Sequence, residues 1–436
     1  MTLGAKSYAL AAGRRYWPTA ETILAALPVA TIPLAPSASV VGVALPDWAA
    51  DLGIGSPPAL LVDEGCVTDG DGPQWRRCDW WSAAFLHLSG WIERAHEDSL
   101  GPIQSYAFRL GAAAALFDHA WVNRIFLFLR RWAARDAGRA ETDLFGPLPR
   151  ACLHLEHDVD YLAKTMPLRI KRLAFDGFNA GRRLLGGRPG AACAALGRAA
   201  RVALTGGDYN RIAEMMDIED RYGVRSTFLF HAGAGTAGGH SWLMDPTYRI
   251  DSDDMRRVFG ALLDGGWQIG LHPGVGTWRD GAAIGREKES LERAAGIAVS
   301  HCRQHWLRFS WKDTWAAQQD CGLGSDGTLG FNDRPGFRNG AALRFHPWAG
   351  IGADRMTIAA LPMVMMDSHF YDYRPMDART REAQLCRWLD EIAQVGGEAC
   401  AVWHQRVLHP DYGWKGGYEM LLAHAAARGL LGRDRP

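Results

Sequence analysis

The sequence predicts an α/β protein built on a mainly parallel, barrel-like sheet, preceded by a smaller α+β segment. Three observations carry that expectation. From residue 150 onward, short apolar runs alternate with helix-patterned stretches, the rhythm of parallel strands joined by crossover helices. Ionisable residues stand at the end of nearly every apolar run, as expected where chemistry collects at strand C-termini. The first 149 residues lack that rhythm and hold no recognisable catalytic set. With 436 residues the chain is long for a single domain. The expected division is an accessory α+β domain at 1–149 and a larger domain at 150–436.

In the first part, Pro/Ala-rich stretches at 27–39 and 40–48 predict short strands and turns. Beyond a Gly/Asp turn region at 65–73, Trp81, Ala84, Phe85, Leu88 and Trp91 recur at helical spacing, and a second amphipathic helix is expected across 112–132. This aromatic density reads as core packing. Gly146-Pro147-Leu148-Pro149 marks the boundary.

The second part opens with RACLHLEHDVDYL, a strand whose C-terminal end delivers the polar cluster 156–160. Helices are expected at 209–222 and 252–265. Further strands are expected in GVRSTFLFHAG, GWQIGLHPG, AVSHCRQHWLRF, the stretch 322–329, LPMVMMDSHF and ACAVWHQRV. Residues 161–206 interrupt the rhythm with nine Lys or Arg against Asp176 alone, interleaved with Leu, Ala and Phe. They read as a basic helical insertion with one apolar face, or as a surface for anionic headgroups or a pyrophosphate-linked glycan carrier.

Composition narrows the function. Forty-eight Lys plus Arg balance forty-eight Asp plus Glu, so the chain has no basic surplus of the kind nucleic-acid binding needs. Arg14–Arg15 follow a short N-terminal apolar run rather than precede it, unlike a secretory signal. No stretch approaches the roughly 18–20 apolar residues of a membrane span. Eight cysteines are scattered without a CxxC pair, as in reduced proteins, and a cytoplasmic location is expected.

The polar strand ends converge. Asp158 and Asp160 close the first strand of this part, His272 the third, Arg303 and His305 the fourth, Asp326 follows the next and His404 closes the last. Burying so many ionisable groups together is costly unless a metal or a substrate joins them. Two carboxylates one residue apart suit a division of labour, one binding a divalent metal and the other taking a proton from water. Imidazole is the usual partner ligand of zinc. A His on the far side can protonate a leaving group, and an Arg can orient the base.

This constellation resembles the NodB-type polysaccharide deacetylases over roughly residues 150–425. The resemblance implies a distorted (β/α) barrel, a divalent metal (zinc above all) and an acetylated glycan or lipid-linked sugar as substrate. It implies Asp158 as base and Asp160 as metal ligand in HDVD. The family's His-x-x-x-His motif matches GLHPGVG through His272, but its second position is Gly276. The third motif matches Arg303-Gln304-His305-Trp306, with His305 where the family has Pro. The fourth corresponds to SDGTLGF through Asp326, and the last to VWHQ, making His404 the general acid. The order HDVD, GLHP, RQHWLRF, DGTLGF, GFR and WH also resembles a subgroup with an extra N-terminal domain associated with bacterial surface-polysaccharide clusters.

His305 is the first candidate to replace the ligand missing at Gly276, with His157 and His231 in reserve. Arg338, Trp306 and Asp367 are candidate substrate-binding residues, and Trp311 and Trp403 are further candidates for stacking on sugar faces. The expected activity is hydrolytic removal of an N- or O-acetyl or similar short acyl group. The alternative is a glycan-binding protein that has lost the metal. Residues 161–206 are a candidate peripheral membrane contact.

Overall fold

The computed structural model describes residues 2–432 apart from 19, 30–35, 38, 51, 53, 55–58, 103–104, 112–113, 206, 234–243, 351–354 and 375. Of the stretch at 27–39 expected to contain a strand, residues 30–35 and 38 therefore lie outside the described residues. The next stretch does form a strand. β1 (Val40–Ala44) pairs antiparallel with β2 (Ala59–Asp63).

The helices of the first part begin where side chains can satisfy free backbone N–H groups. Asp79 accepts from the N–H of Ser82 at 2.9 Å and starts the helix Trp80–Leu88. The single helix expected through Trp91 is broken at Gly90, which adopts a left-handed φ of 62°. The Trp311 ring packs against this glycine so closely that a Cβ would lie 2.2 Å from it, so no other residue fits there. The chain then re-enters a helix at Trp91–Leu100. The next helix, Trp121–Asp136, starts later than its apolar pattern suggested, because residues 114–117 form a separate 3-10 turn. Its buried face, with Phe126, Phe128 and Trp132, joins Trp17, Trp80 and Trp81 in an aromatic core. That core is continuous with the apolar interior of the sheet that follows.

The sheet has eight strands, all parallel. They are β3 (Cys152–Val159), β4 (Thr227–Phe230), β5 (Gln268–Leu271), β6 (His301–Cys302), β7 (Ser325–Asp326), β8 (Ala359–Ala360), β9 (Met363–Met366) and β10 (Glu398–Val402), in the spatial order β8-β7-β6-β5-β4-β3-β10-β9. The two edge strands, β8 and β9, are separated in sequence only by Leu361 and Pro362. A chain that passes from one edge of a sheet to the other in two residues requires the edges to meet, so the sheet is curled into a barrel. Hydrogen bonds continue across the bend. Leu361 N donates to Asp326 O, Met363 N to Leu329 O, and Cys400 N to Pro362 O. The α/β barrel expected from the sequence is thus present, closed by a bent strand that the sequence pattern did not reveal.

Ser252, Asp280 and Asp377 cap the helices Asp253–Asp264, Gly281–Ala295 and Ala378–Gln394 on the outside of the barrel. Residues 161–206 leave the end of β3 as a helical hairpin, Met166–Leu185 and Pro189–Leu204, whose close approach is permitted by Ala180, Ala192 and Ala195. Arg169 donates to Val202 O at 3.2 Å and Thr205 O at 3.0 Å, satisfying carbonyls at the end of the second helix. Among the described residues no helix is long and apolar enough to cross a membrane.

Candidate metal centre

Strand alternation sorts the residues of β3 before any chemistry is considered. Glu156, Asp158 and Asp160 share one face, and His157 and Val159 the other. His157 accordingly points away from the cleft. Its Nδ1 lies 2.6 Å from Trp403 O and its Nε2 2.7 Å from Glu219 Oε1, in a fully buried network with Tyr418. That geometry engages both ring nitrogens and leaves neither for a metal.

Asp160 sits at the centre of the inner face. Its Oδ1 is buried and has no hydrogen-bond donor. It faces His272 Nε2 at 3.4 Å and His305 Nε2 at 3.6 Å, and all three ligand atoms lie within 4.8 Å of one another. A tetrahedral ion with bonds of about 2.0–2.1 Å holds its ligand atoms about 3.3 Å apart. The donor set therefore fits a divalent cation of the zinc type. Gly276, the position matching the missing family ligand, is exposed and has open space around its Cα, while His305 supplies an imidazole from the next strand end.

Both imidazoles are held in the orientation a metal needs. His272 Nδ1 lies 2.7 Å from Arg303 O, and His305 Nδ1 lies 2.9 Å from Asp245 Oδ1, so each directs Nε2 at Asp160. His404 follows the same rule on the opposite side. Its Nδ1 is 3.0 Å from both oxygens of Asp367, its backbone N donates to Asp367 Oδ2 at 2.7 Å, and its Nε2 is 3.6 Å from Asp160 Oδ2.

Asp158 lines the same cleft and receives Arg303 Nε at 3.2 Å. Arg303 is itself fixed by Gly327 O at 2.6 Å and by an ion pair with Glu156. Burial raises the Asp158 carboxyl above its ordinary value, although His272 and His404 pull the other way. Burial would raise Asp160 too, but Arg406, with His272, His404 and His305, holds it well below the usual carboxylate range. Despite its own burial, His272 is pushed up to about 9 by Asp158 and Asp160. The two carboxylates thus draw positive charge into the site, a role that a bound cation would fill.

The remaining predicted residues are placed as follows. Trp306 lines the cleft with a left-handed φ of 59°, its ring 4.4 Å from Lys171 Nζ. Asp326 is wholly buried away from the cleft lining, where Trp315, Gln318 and Thr328 donate to it. Arg338 is also away from the cleft, bonded to Glu93 at 2.9 and 2.7 Å and to Gly330 O. Trp311 donates to Glu93 from the core, and Trp403 is buried against Tyr371 and Tyr418. His231 is buried behind His272, its Nδ1 3.2 Å from His272 O.

Sequence reasoning missed four residues of this site: Arg406, Asp245, Lys171 and Glu156. Arg406 reaches Asp160 Oδ2 at 2.5 Å, and its place two residues after His404 was the available signal. Glu156 was signalled by its alternation with Asp158. Asp245 stands in an irregular segment with no periodicity, and Lys171 was counted only as one of a run of basic residues. The cleft has a cavity volume of about 400 Å³, with a polar floor and walls that include Leu168, Phe175, Met363 and Tyr412.

No family model and no curated protein matches the chain. Among solved structures it is similar to a protein from Mycobacterium smegmatis assigned as a polysaccharide deacetylase, at 14% identity and a TM-score of 0.37, covering 64% of this chain and 86% of that one. It is also similar to the polysaccharide deacetylase Bc1974 from Bacillus cereus, at 9% identity and a TM-score of 0.32, covering 64% and 89% of the two chains. A third is a mutant of BA3943, a CE4 family pseudoenzyme with restored enzymatic activity, at 10% identity and a TM-score of 0.32, covering 66% and 70%. Superpositions this loose bear on neither substrate nor chemistry, which the site itself must supply.

Proposed function

We propose that this chain is a metal-dependent hydrolase that removes an N- or O-acetyl or similar short acyl group from a surface-polysaccharide sugar or its lipid-linked precursor. The observation that carries the reading is the orphaned Oδ1 of Asp160 facing two oriented imidazoles. Asp160, His272 and His305 would hold the ion. A divalent ion there supplies a water of lowered pKa and positive charge for the acyl oxygen.

Asp158 accepts the proton of the attacking water, and its burial, which favours the protonated form, makes it a stronger base than a surface carboxylate. Arg303 fixes the direction of that carboxylate. His404, steadied by Asp367, carries a proton to the departing amine or alkoxide from the other side of Asp160. Trp306 offers a ring face at the cleft wall for a sugar. Asp326 and Arg338 act through the scaffold rather than on the substrate in this scheme. Eight unpaired cysteines, four of them buried, favour a reducing, cytoplasmic setting.

The test is the metal content of the purified protein, by elemental analysis, together with acetate release from acetylated sugars by wild type and His305→Ala. About one ion per chain, lost in the variant along with acetate release, supports the reading. A wild type that takes up no ion after reconstitution overturns it and leaves glycan binding without hydrolysis as the function to examine.

A further inference from the structure

The helical hairpin of residues 166–204 is two-faced. On the helix Met166–Leu185, positions 168, 171, 172 and 175 line the catalytic cleft. The opposite face carries Met166, Ile170 and Leu173, Phe178 stands two turns beyond Lys171 at the flank of the cleft-lining stripe, and the helix ends in Leu184 and Leu185 at the hairpin tip; all six are exposed. Met166, Phe178 and Leu185 stand at 66%, 70% and 94% exposure. Leu196 and Leu204 extend the patch onto the second helix. Among the described residues, eight of the ten exposed large apolar side chains of the protein lie on this one hairpin. Elsewhere among the described residues only Phe108 and Leu148 are exposed in this way, so the concentration calls for a covering partner.

Charge identifies the partner. The tip reads Arg182-Arg183-Leu184-Leu185-Gly186-Gly187-Arg188, with Arg182 and Arg188 exposed beside the two leucines, and Arg201 is exposed on the second helix. Of the cations of this segment, Lys164 and Arg172 turn inward onto Asp411 and Asp176 and Lys171 lines the cleft, whereas Arg182, Arg188 and Arg201 remain exposed with no acid of the segment beside them but the buried Asp176. A second copy of the same face would bring these arginines against one another. A surface of anionic headgroups over an apolar interior satisfies both the arginines and the leucines.

We infer that the hairpin 166–204 docks this protein on the surface of an anionic lipid bilayer, its tip leucines and Phe178 entering the interface. The inference stands on exposure and charge and is independent of the hydrolase reading. Docked in this way, the hairpin sets a wall of the catalytic cleft beside the lipid surface.

The experiment is co-sedimentation of the full chain with vesicles of phosphatidylcholine alone or mixed with phosphatidylglycerol, at low and high salt. The expected result is salt-sensitive binding to the anionic vesicles only. Two double variants, Phe178→Glu/Leu185→Glu and Arg182→Glu/Arg188→Glu, should each bind at least about tenfold more weakly. Both keep the far-UV circular dichroism and the melting temperature of the wild type, which shows that they are folded. A wild type that stays in the supernatant with anionic vesicles at low salt overturns the inference, as do variants that sediment like wild type. A dimer seen by light scattering in wild type and lost in the Phe178→Glu/Leu185→Glu variant, without vesicle binding, also overturns it and assigns the face to self-association.

Discussion

Asp245 Oδ1 lies 2.9 Å from Nδ1 of His305 and also accepts the backbone N–H of Val275 at 2.8 Å. The carboxylate thereby ties His305 to the loop after β5, the loop that carries Gly276. Removing such a partner frees the imidazole to rotate and to change tautomer. Asp245→Asn should lower metal affinity by roughly 10–100-fold, measured by competition with a chelator. Unchanged affinity would mean that packing alone holds His305 in place.

Asp367 stands in the same relation to His404, whose Nε2 faces the other oxygen of Asp160. Asp367→Asn should lower kcat by roughly 10²-fold while leaving metal content and KM nearly unchanged. Loss of metal in this variant would show that the His404 side of the site is structural rather than a proton donor.

The fold also makes a prediction about acid. Glu391 joins the helix Ala378–Gln394 to the first part of the chain, accepting Arg124 Nε at 2.8 Å and Ala120 N at 3.0 Å beside His119. Burial opposes its charge, but His119 and Arg124 prevail and hold its pKa at about 2 instead of 4.5. A carboxyl lowered on folding stabilises the protein above its unfolded pKa and loses that contribution as pH falls through the folded value. About 3 kcal/mol should therefore disappear between about pH 4.5 and pH 2, seen in the pH dependence of urea unfolding. Glu391→Gln leaves Arg124 buried without its partner and should cost about 3–5 kcal/mol at neutral pH.

Gly270 in β5 has Leu229 2.7 Å and the carbonyl of His301 3.1 Å from where a Cβ would stand. Gly270→Ala should destabilise the protein by about 1–3 kcal/mol in thermal melts. It should also weaken metal binding, because His272 lies two residues further along the same chain. A variant with wild-type melting would show that β5 shifts freely within the barrel.

The barrel and its polar strand ends were legible because they are local. Apolar runs mark strands, and Asp158, Asp160, His272, His305 and His404 each follow one directly. What stayed hidden was set by distance in the fold. β8 is two residues long and cannot show a period, and the bend at Leu361-Pro362 that closes the barrel depends on both neighbouring strands. Asp245 acquires its role only when the loop after β4 meets β6. Arg338 and Asp326 have the same composition of neighbours as a site residue would, and only their partners, Glu93 and Trp315, place them in the scaffold. The hairpin was legible as basic and amphipathic, but which face points inward depends on the cleft it covers.

The first strand of the barrel, β3, has the last strand, β10, as one of its two neighbours, with Cys152 aligned to Glu398. During synthesis, then, the strand bearing both aspartates emerges with one edge bare and must wait for nearly the whole remaining chain before that edge is paired. A ribosome stalled before residue 398, or a protease cut that removes the C-terminal segment, leaves no partly formed site. It leaves an open sheet with an unpaired edge, lacking His404 and Arg406, and such edges are where chains join their neighbours in aggregates.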